Sequence, residues 1–215
     1  MSRLFILVLA LVVAGAACAQ ATGVASRERA LAAIKSGSPV ERAEALAWIA
    51  DHGTPADAAI LRQRLTDDSG LVRGFAEQGL WVLWSRSGDK AIDALMTRGV
   101  DEMRAGRHAD AIATFSEVIR KKPAFAEGWN KRATVLYLAG EYRKSIADCD
   151  QVIRRNPHHF GALAGFGQNY FELKEYEKAI RYWKRALQEN PNMAAIELNI
   201  DGAEELLAER RKHSA

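Results

Sequence analysis

The chain of 215 residues carries 30 basic and 27 acidic side chains, a formal net charge of +3, and 48% of its residues are hydrophobic. This balance is that of a globular protein. It excludes a disordered polyelectrolyte, and neither half of the chain is basic enough to indicate nucleic-acid binding. The two cysteines, Cys18 and Cys149, are too few for the disulfide framework that stabilises small secreted domains.

The first 19 residues have the layout of a secretory signal peptide. Arg3 is followed by an unbroken apolar run over residues 4–13 and then by small residues that include Ala17 and Ala19. Because signal peptidase requires small side chains one and three positions before the cut, we expect cleavage after Ala19. The sequence therefore predicts an exported, periplasmic protein.

Cys18 leaves a second interpretation open. Bacterial lipoproteins are lipidated on a cysteine that follows a stretch of small residues, although residues 15–17 lack the leucine that usually stands three positions before that cysteine. The alternative is a membrane-anchored lipoprotein. Membrane contact is expected only if Cys18 is lipidated or the signal peptide is not cleaved.

Residues 20–89 are predicted to form a helical region. Breaks rich in Gly, Pro and Asp at residues 36–39, 53–55 and 67–70 imply four helices. An offset of 31 residues aligns Arg42 with Arg73 and Ala45 with Ala76. This pattern resembles a HEAT-type repeat, in which an Asp-rich turn leads into a Val-Arg-x-x-Ala helix. The alternative is an irregular helical cap on the repeats that follow.

Residues 90–193 contain three units with a period of 34 residues, 92–125, 126–159 and 160–193, each with a proline near its end (Pro123, Pro157 and Pro191). Small residues recur in register at two positions of each unit: Gly99, Ala133 and Gly167, and then Ala111, Ser145 and Ala179. A third position holds Phe115 and Trp183 in the first and third units and Cys149 in the second. Two antiparallel helices approach closely where a small residue faces a large one, and proline cannot continue the helix before it. The period therefore predicts a stack of helical hairpins.

These residues resemble the tetratricopeptide repeat (TPR) family over roughly half of the chain. The resemblance implies an all-α, right-handed helical-repeat solenoid of three TPR-like hairpins, preceded by the HEAT-like region. Arg98 and Arg132 depart from the family pattern where leucine is usual, and Glu102 departs from it where tyrosine is usual. Lys174 takes the place of a turn glycine in the third unit, and we expect mild strain there.

Residues 194–215 are predicted to form a capping helix and a short tail. Apolar residues continue at helical spacing from Ile196 to Leu207 and are followed by a charged stretch at residues 209–212. The last repeat of a solenoid has no neighbour on its outer side, so a helix with a polar exterior keeps the stack soluble.

By resemblance to the family, the first helices of the repeats line a concave groove that holds an extended peptide or a helix. The residues expected to form this partner-binding groove are Met96, Val100, Met103, Asn130, Lys131, Thr134, Tyr137, Gln168 and Phe171. Family members that grip C-terminal carboxylates use a two-sided set of Lys, Arg and Asn. The corresponding positions here, Met96, Val100, Lys131, Gly161 and Gly165, include one basic residue, so that specificity is not expected.

No catalytic or metal-binding pattern stands out, because the five histidines are scattered and no cysteine-histidine pair has a recognisable spacing. We expect neither a cofactor nor a metal, and we expect Cys149 to be a small buried hydrophobe. The favoured hypothesis is a non-enzymatic scaffold or adaptor of the bacterial cell envelope that binds a protein or peptide in the groove.

Basic clusters at residues 120–122 and 154–155 suggest a different hypothesis. They precede repeat-closing prolines, where cations complement the negative end of a helix. The alternative function is a periplasmic accessory to envelope biogenesis that binds glycan or anionic lipid through these clusters.

Overall fold

The computed structural model describes residues 26–214, so the expected signal peptide over residues 1–19 lies outside the described part. Within residues 26–214 the regular structure is helical, without strands. The chain divides into two compact units, which meet in sequence between Ser85 and Arg86.

The first unit contains four α-helices and a short 3-10 turn within its described residues. The helices are α1 (Arg27–Ser36), α2 (Pro39–His52), α3 (Ala58–Arg62) and α4 (Gly70–Ser85), and the 3-10 turn Pro55–Asp57 precedes α3. Helix α2 begins at a capping box, in which the Ser38 side chain accepts from the Glu41 backbone N–H and the Glu41 side chain accepts from the Ser38 N–H.

Helices α2 and α4 pack against each other and supply most of the core of this unit. Gly79 allows α4 to approach α2 and α3 closely, because a Cβ at this position would lie 2.3 Å from Leu61 Cδ2 and 3.2 Å from Ala50 Cβ. Leu46 and Leu80, from α2 and α4 respectively, are fully buried.

The two arginines that the 31-residue offset aligns, Arg42 and Arg73, bind the same turn. Arg42 Nη2 donates to Asp67 Oδ1 and Asp68 Oδ1, each at 2.6 Å, and Arg73 Nη1 donates to the Asp67 backbone carbonyl at 2.9 Å. Burial raises the pKa of Asp67, but the hydrogen bonds from Arg42 and from the Ser69 backbone help to outweigh burial and hold this pKa below its ordinary value. The Asp-rich turn is thus held from both sides by guanidinium groups.

The second unit consists of three helical hairpins and a C-terminal helix. Its helices are α5 (Lys90–Arg104), α6 (His108–Lys121), α7 (Ala126–Leu138), α8 (Tyr142–Arg155), α9 (Phe160–Glu172), α10 (Tyr176–Glu189) and α11 (Ala194–Ser214). Each helix packs against the next one in sequence. The predicted all-α helical-repeat architecture is confirmed.

Close contacts between small and large residues hold the hairpins together, as the 34-residue pattern predicts. A Cβ at Gly99 in α5 would lie 2.6 Å from the ring of Phe115 in α6, and a Cβ at Gly167 in α9 would lie 2.3 Å from the ring of Trp183 in α10. Phe115 and Trp183 are both buried. Each glycine therefore lets a helix backbone rest directly on an aromatic ring.

The turn inside each hairpin requires a left-handed residue. Gly106 and Gly140 have φ of +71° and +76°, and Lys174 occupies the corresponding turn with φ of +59°. This conformation brings the Lys174 side chain close to its own backbone, so the strain expected at this position is confirmed.

The departures from the family pattern are compensated by polar partners. Arg98 Nε donates to the buried Glu102 carboxylate at 2.7 Å, and Thr114 Oγ1 donates to the same carboxylate at 2.6 Å. Arg132 likewise forms a two-pronged ion pair with Asp148, at 2.7 and 2.8 Å. The hydrogen bonds from Thr114 and then Arg98 hold the pKa of Glu102 below its ordinary value.

Candidate functional site

A cleft of about 230 Å³ opens between the first helices of the second and third hairpins. Helices α7 and α9 form its walls, α8 contributes to its lining and α11 adds one residue. The lining residues are Asn130, Ala133, Thr134, Tyr137, Ser145, Cys149, Gly161, Ala164, Gly165, Gln168, Asn169 and Ile196.

The cleft exists because α9 presents small residues to it. Gly161, Ala164 and Gly165 lie on this wall within two turns of the helix. A Cβ added at Gly165 would lie 3.4 Å from Cys149 Sγ, so even a methyl group there reaches the α8 side of the cleft. Small residues of the third repeat therefore open the groove.

Four of the nine predicted groove residues meet in this cleft: Asn130, Thr134, Tyr137 and Gln168. They come from α7 and α9, as expected for the first helices of successive hairpins.

The other five predicted residues have different surroundings. Met96 is buried in the hydrophobic cluster around Phe115, and Val100 and Met103 pack against the same cluster. Lys131 is bound to a carboxylate, that of Glu127, at 3.1 Å. Phe171 packs against the rings of Tyr176 and Trp183 in a separate cluster near the C-terminus.

Glu172 stands beside the cleft and was not predicted as a site residue. The Tyr137 hydroxyl donates to Glu172 Oε1 at 3.1 Å, and Gln168 Nε2 donates to the same oxygen at 3.3 Å. Burial and the interaction with Glu172 raise the pKa of Tyr137. The exposed carboxylate thus links the two polar walls of the cleft.

A hydrogen-bond chain runs along the inner part of the lining. Ser145 Oγ donates to the Ala133 carbonyl at 2.8 Å, and Asn169 Nδ2 donates to Ser145 Oγ at 2.9 Å and to the Gly165 carbonyl at 2.7 Å. Cys149 lies in this lining, where burial raises the pKa of its thiol to about 12. This thiol stays protonated and unreactive, in line with the small buried hydrophobe that was predicted.

Comparison with known proteins finds matches for the repeats. A tetratricopeptide repeat family model matches residues 96–160, and another tetratricopeptide repeat family model matches residues 161–193. Residues 96–193 thus match tetratricopeptide repeats. The chain is 36% identical over 124 residues to a TPR repeat-containing protein of Rhizobium etli, a match that covers 54% of this chain and 61% of that relative.

Solved TPR domains share the fold at low sequence identity. The first TPR of Spaghetti (RPAP3), bound to the HSP90 peptide SRMEEVD, has a TM-score of 0.53 at 20% identity; the match covers 54% of this chain and 93% of that domain. The Sgt2 TPR domain from Aspergillus fumigatus has a TM-score of 0.56 at 17% identity and covers 59% of this chain and 85% of that domain.

An ion network around the fully buried Glu127 carboxylate ties the second TPR hairpin to the third. The Glu127 carboxylate, in α7, is bound by Asn130 Nδ2 at 3.1 and 3.2 Å, by Lys131 Nζ at 3.1 Å and by His159 Nε2 at 3.1 Å. Burial raises the pKa of Glu127, but the hydrogen bond from His159 and the charge of Lys131 outweigh burial and hold this pKa below its ordinary value.

The partners of His159 fix its tautomer. Its Nδ1 accepts from the Ala162 backbone N–H at 3.1 Å and so caps α9, which leaves the proton on Nε2 for donation to Glu127. His159 therefore acts as a structural residue. Among residues 26–214, no group of three or more His, Cys, Asp or Glu side chains is placed to hold a metal ion.

The basic clusters of the TPR units are engaged within the protein. Lys121 Nζ lies 3.0 Å from Glu117, and Arg154 Nε donates to Asp150 at 2.6 Å. Arg155 Nε donates to the Pro123 carbonyl at 2.6 Å, and its guanidinium stacks on the Trp129 ring. Lys122 donates to the Ser87 carbonyl. None of the described helices is both long enough and apolar enough to cross a membrane.

Proposed function

We propose that this protein is a non-enzymatic adaptor of the bacterial cell envelope that holds an extended segment of a partner protein in the cleft between α7 and α9. The observation that carries the proposal is the cleft itself, which small residues on α9 keep open and which polar side chains on both walls surround. Polar groups around an apolar pocket give a peptide both contact area and hydrogen bonds.

The comparisons support the binding of a peptide. The first TPR of Spaghetti (RPAP3) binds an HSP90 peptide. The TPR2B domain of yeast Sti1, which is similar in fold with a TM-score of 0.53, forms a complex with pHsp70. The HSP90 peptide and pHsp70 are ligands of those two domains. The shared fold supports a peptide-sized guest here, and it does not identify that guest.

The peptide proposal is tested with unstructured peptides in place of an unidentified partner. Immobilised octapeptides, N-acetylated, C-amidated and randomised at each position, are screened with the full chain. The tightest sequence is then measured by fluorescence anisotropy. Tyr137→Ala combined with Gln168→Ala should weaken binding at least tenfold, because both walls lose polar contacts.

Leu138→Ala is the matched control. Leu138 is 49% exposed beside Tyr137 on α7 and does not line the cleft. The Leu138→Ala variant should bind the selected octapeptide as tightly as the wild type does. A screen without any sequence that binds more tightly than a Gly-Ser octapeptide would refute the proposal.

The cellular location is part of the same proposal and rests on the first 19 residues. Periplasmic, membrane and cytoplasmic fractions of cells that express the full chain are each analysed by intact mass. A chain that begins at Gln20 is the expected product. A lipidated chain that begins at Cys18 would instead establish the membrane-anchored form, and an uncleaved chain in the cytoplasm would contradict export.

The alternative, binding of glycan or anionic lipid through the basic clusters, has less support because Lys121 and Arg154 pair with carboxylates of their own helices and Arg155 donates to a backbone carbonyl. Charge reversal at Lys121 and Arg154 separates the two proposals. The adaptor predicts unchanged octapeptide affinity and no binding to vesicles of anionic lipid. Vesicle binding that the reversal abolishes would favour the alternative.

A further inference from the structure

The hydroxyl groups that line the cleft have no proton left for a guest. Thr134 Oγ1 donates to a backbone carbonyl at 3.0 Å, and Ser145 Oγ donates to another at 2.8 Å. The Tyr137 hydroxyl donates to Glu172 at 3.1 Å. A hydroxyl has one proton and two lone pairs, so each of these groups can only accept from a guest.

The amide nitrogens of the two lining asparagines also donate to groups of the chain itself. Asn130 Nδ2 donates to the Glu127 carboxylate, and Asn169 Nδ2 donates to both the Gly165 carbonyl and Ser145 Oγ. An amide nitrogen has two protons. Asn169 has given both of its protons to these two acceptors, so what it retains for a guest is its carbonyl oxygen.

The Asn169 carbonyl oxygen is of particular interest because it has no partner. Since Ser145 Oγ gives its proton to Ala133, it can only accept from Asn169, and this fixes which end of the amide is nitrogen. Asn169 is 1% exposed, and its Oδ1 is buried without a hydrogen bond in the described part of the chain. A buried acceptor without a donor is unfavourable, so a donor brought by a guest would relieve it.

The charges at the cleft also favour a guest that donates hydrogen bonds, and in particular a cation. Glu172 places an exposed carboxylate beside Tyr137 and Gln168. Of the described residues that line the cleft, none is Lys, Arg or His. Lys131, the basic residue that follows Asn130 in α7, has its ammonium bound to Glu127. A guest carboxylate would therefore meet oxygens, whereas a guest cation would meet a carboxylate.

We infer that the cleft selects an extended peptide that inserts a lysine or arginine side chain, with the N–H groups of that side chain donating to Glu172 and to the lining oxygens. The inference rests on the proposed peptide-binding function and specifies its guest. A volume of about 230 Å³ is below the roughly 300–1,000 Å³ of small-molecule sites and suits a single side chain.

The octapeptide screen described above tests the inference, because it reports residue preference as well as affinity. Lysine or arginine should be enriched at one position of the selected sequences. In anisotropy titrations, replacing that residue with glutamine should weaken binding about fivefold, and replacing it with glutamate should weaken it more, as expected for one partly exposed ion pair.

Substitution of Glu172 assigns the preference to the cleft. Glu172→Gln should weaken the lysine peptide about fivefold and leave the glutamine analogue unchanged. Glu172→Lys should reverse the order, so that the glutamate analogue becomes the tighter ligand. Glu177→Gln, which removes an exposed charge of α10 outside the cleft lining, should leave all three affinities unchanged.

Two results would overturn the inference, and they are distinct from failure of peptide binding itself. Selection of acidic or uncharged sequences whose affinity depends on Tyr137 would leave the peptide site intact and refute its preference for a cation. Lysine peptides whose affinity does not respond to Glu172→Gln or Glu172→Lys would place the cation elsewhere. A screen that yields no ligand would refute the proposed function as well.

Discussion

Glu127 and His159, 32 residues apart in sequence, form a hydrogen-bonded pair at 3.1 Å in which both side chains have no exposed surface. Glu127 lies in the first turn of α7, and His159 caps the start of α9. This contact therefore connects the start of α7 with the start of α9, which are equivalent positions in two successive TPR hairpins, beside the wall of the cleft. This gives the pair a structural role that a mutation can measure.

We predict that Glu127→Ala lowers the free energy of unfolding by about 3 kcal/mol, because removal of one partner leaves Lys131 and His159 without their buried acceptor. Urea unfolding followed by circular dichroism measures the change. Glu177→Ala, at an exposed position of α10, should stay within about 0.5 kcal/mol of the wild type.

A double-mutant cycle with His159→Ala isolates the pair. The double variant should be more stable than the sum of the two single losses implies, by about 1 kcal/mol or more, since residues in one network are not additive. Additive losses would show that the two side chains contribute independently.

Asp57 makes the first unit sensitive to acid. The hydrogen bond from Arg27 and those from Thr54, opposed by burial, lower the pKa of Asp57 to about 2 from an ordinary value of 3.8. Because the folded pKa is the lower one, the contribution of Asp57 is complete above pH 3.8 and is lost as the pH falls toward 2. We predict that Asp57→Asn destabilises the protein at pH 7 and that this difference shrinks toward pH 2.

The measurement is the urea midpoint at a series of pH values. Glu28→Gln, which neutralises an exposed carboxyl of α1, is the control and should run parallel to the wild type. An Asp57→Asn difference that is constant across the acid range would contradict the lowered pKa.

The hairpins could be predicted from the sequence because their determinants are steric and local. Pro123 recurs as Pro157 and Pro191, and in the first and third hairpins a glycine faces a ring and specifies the approach of the two helices. Even the left-handed conformation of Lys174 could be predicted, because Lys174 stands at the repeat position that Gly106 and Gly140 occupy in the other two units.

The cleft was harder to predict because it depends on partners distant in sequence. Tyr137 and Gln168 could be assigned to the groove by resemblance to the tetratricopeptide repeat family, but Glu172 becomes a cleft residue through hydrogen bonds to both of them. Met96 has the same helical register as a groove residue, yet it is buried because Phe115 and its neighbours cover it. Periodicity identifies a face, whereas tertiary contacts decide whether that face is covered.

Lys174 offers a stabilising substitution. Its φ of +59° costs a residue with a Cβ about 1–2 kcal/mol, and glycine avoids that cost at the expense of greater freedom in the unfolded chain. We predict that Lys174→Gly raises the free energy of unfolding by about 0.5–1 kcal/mol. Ala113→Gly, at an exposed position inside α6, should lower it by about 1 kcal/mol, so a loss of stability in both variants would contradict the role of φ.

Gly167 and Gly202 test whether helix contact or helix propensity dominates at a glycine. Both lie inside helices, where alanine is intrinsically better by about 1 kcal/mol. A Cβ at Gly167 would lie 2.3 Å from the buried Trp183 ring, whereas a Cβ at Gly202 would meet nothing within 4 Å.

Gly167→Ala should therefore lower the free energy of unfolding by about 2 kcal/mol, because α9 and α10 must move apart. Gly202→Ala should raise it by about 0.5–1 kcal/mol. Urea unfolding of the two variants, with near-ultraviolet circular dichroism to report the environment of the tryptophans, measures both effects. If Gly167→Ala were as stable as the wild type, the glycine-ring contact would not be what sets the approach of these helices, and the main steric explanation of the repeat would fail.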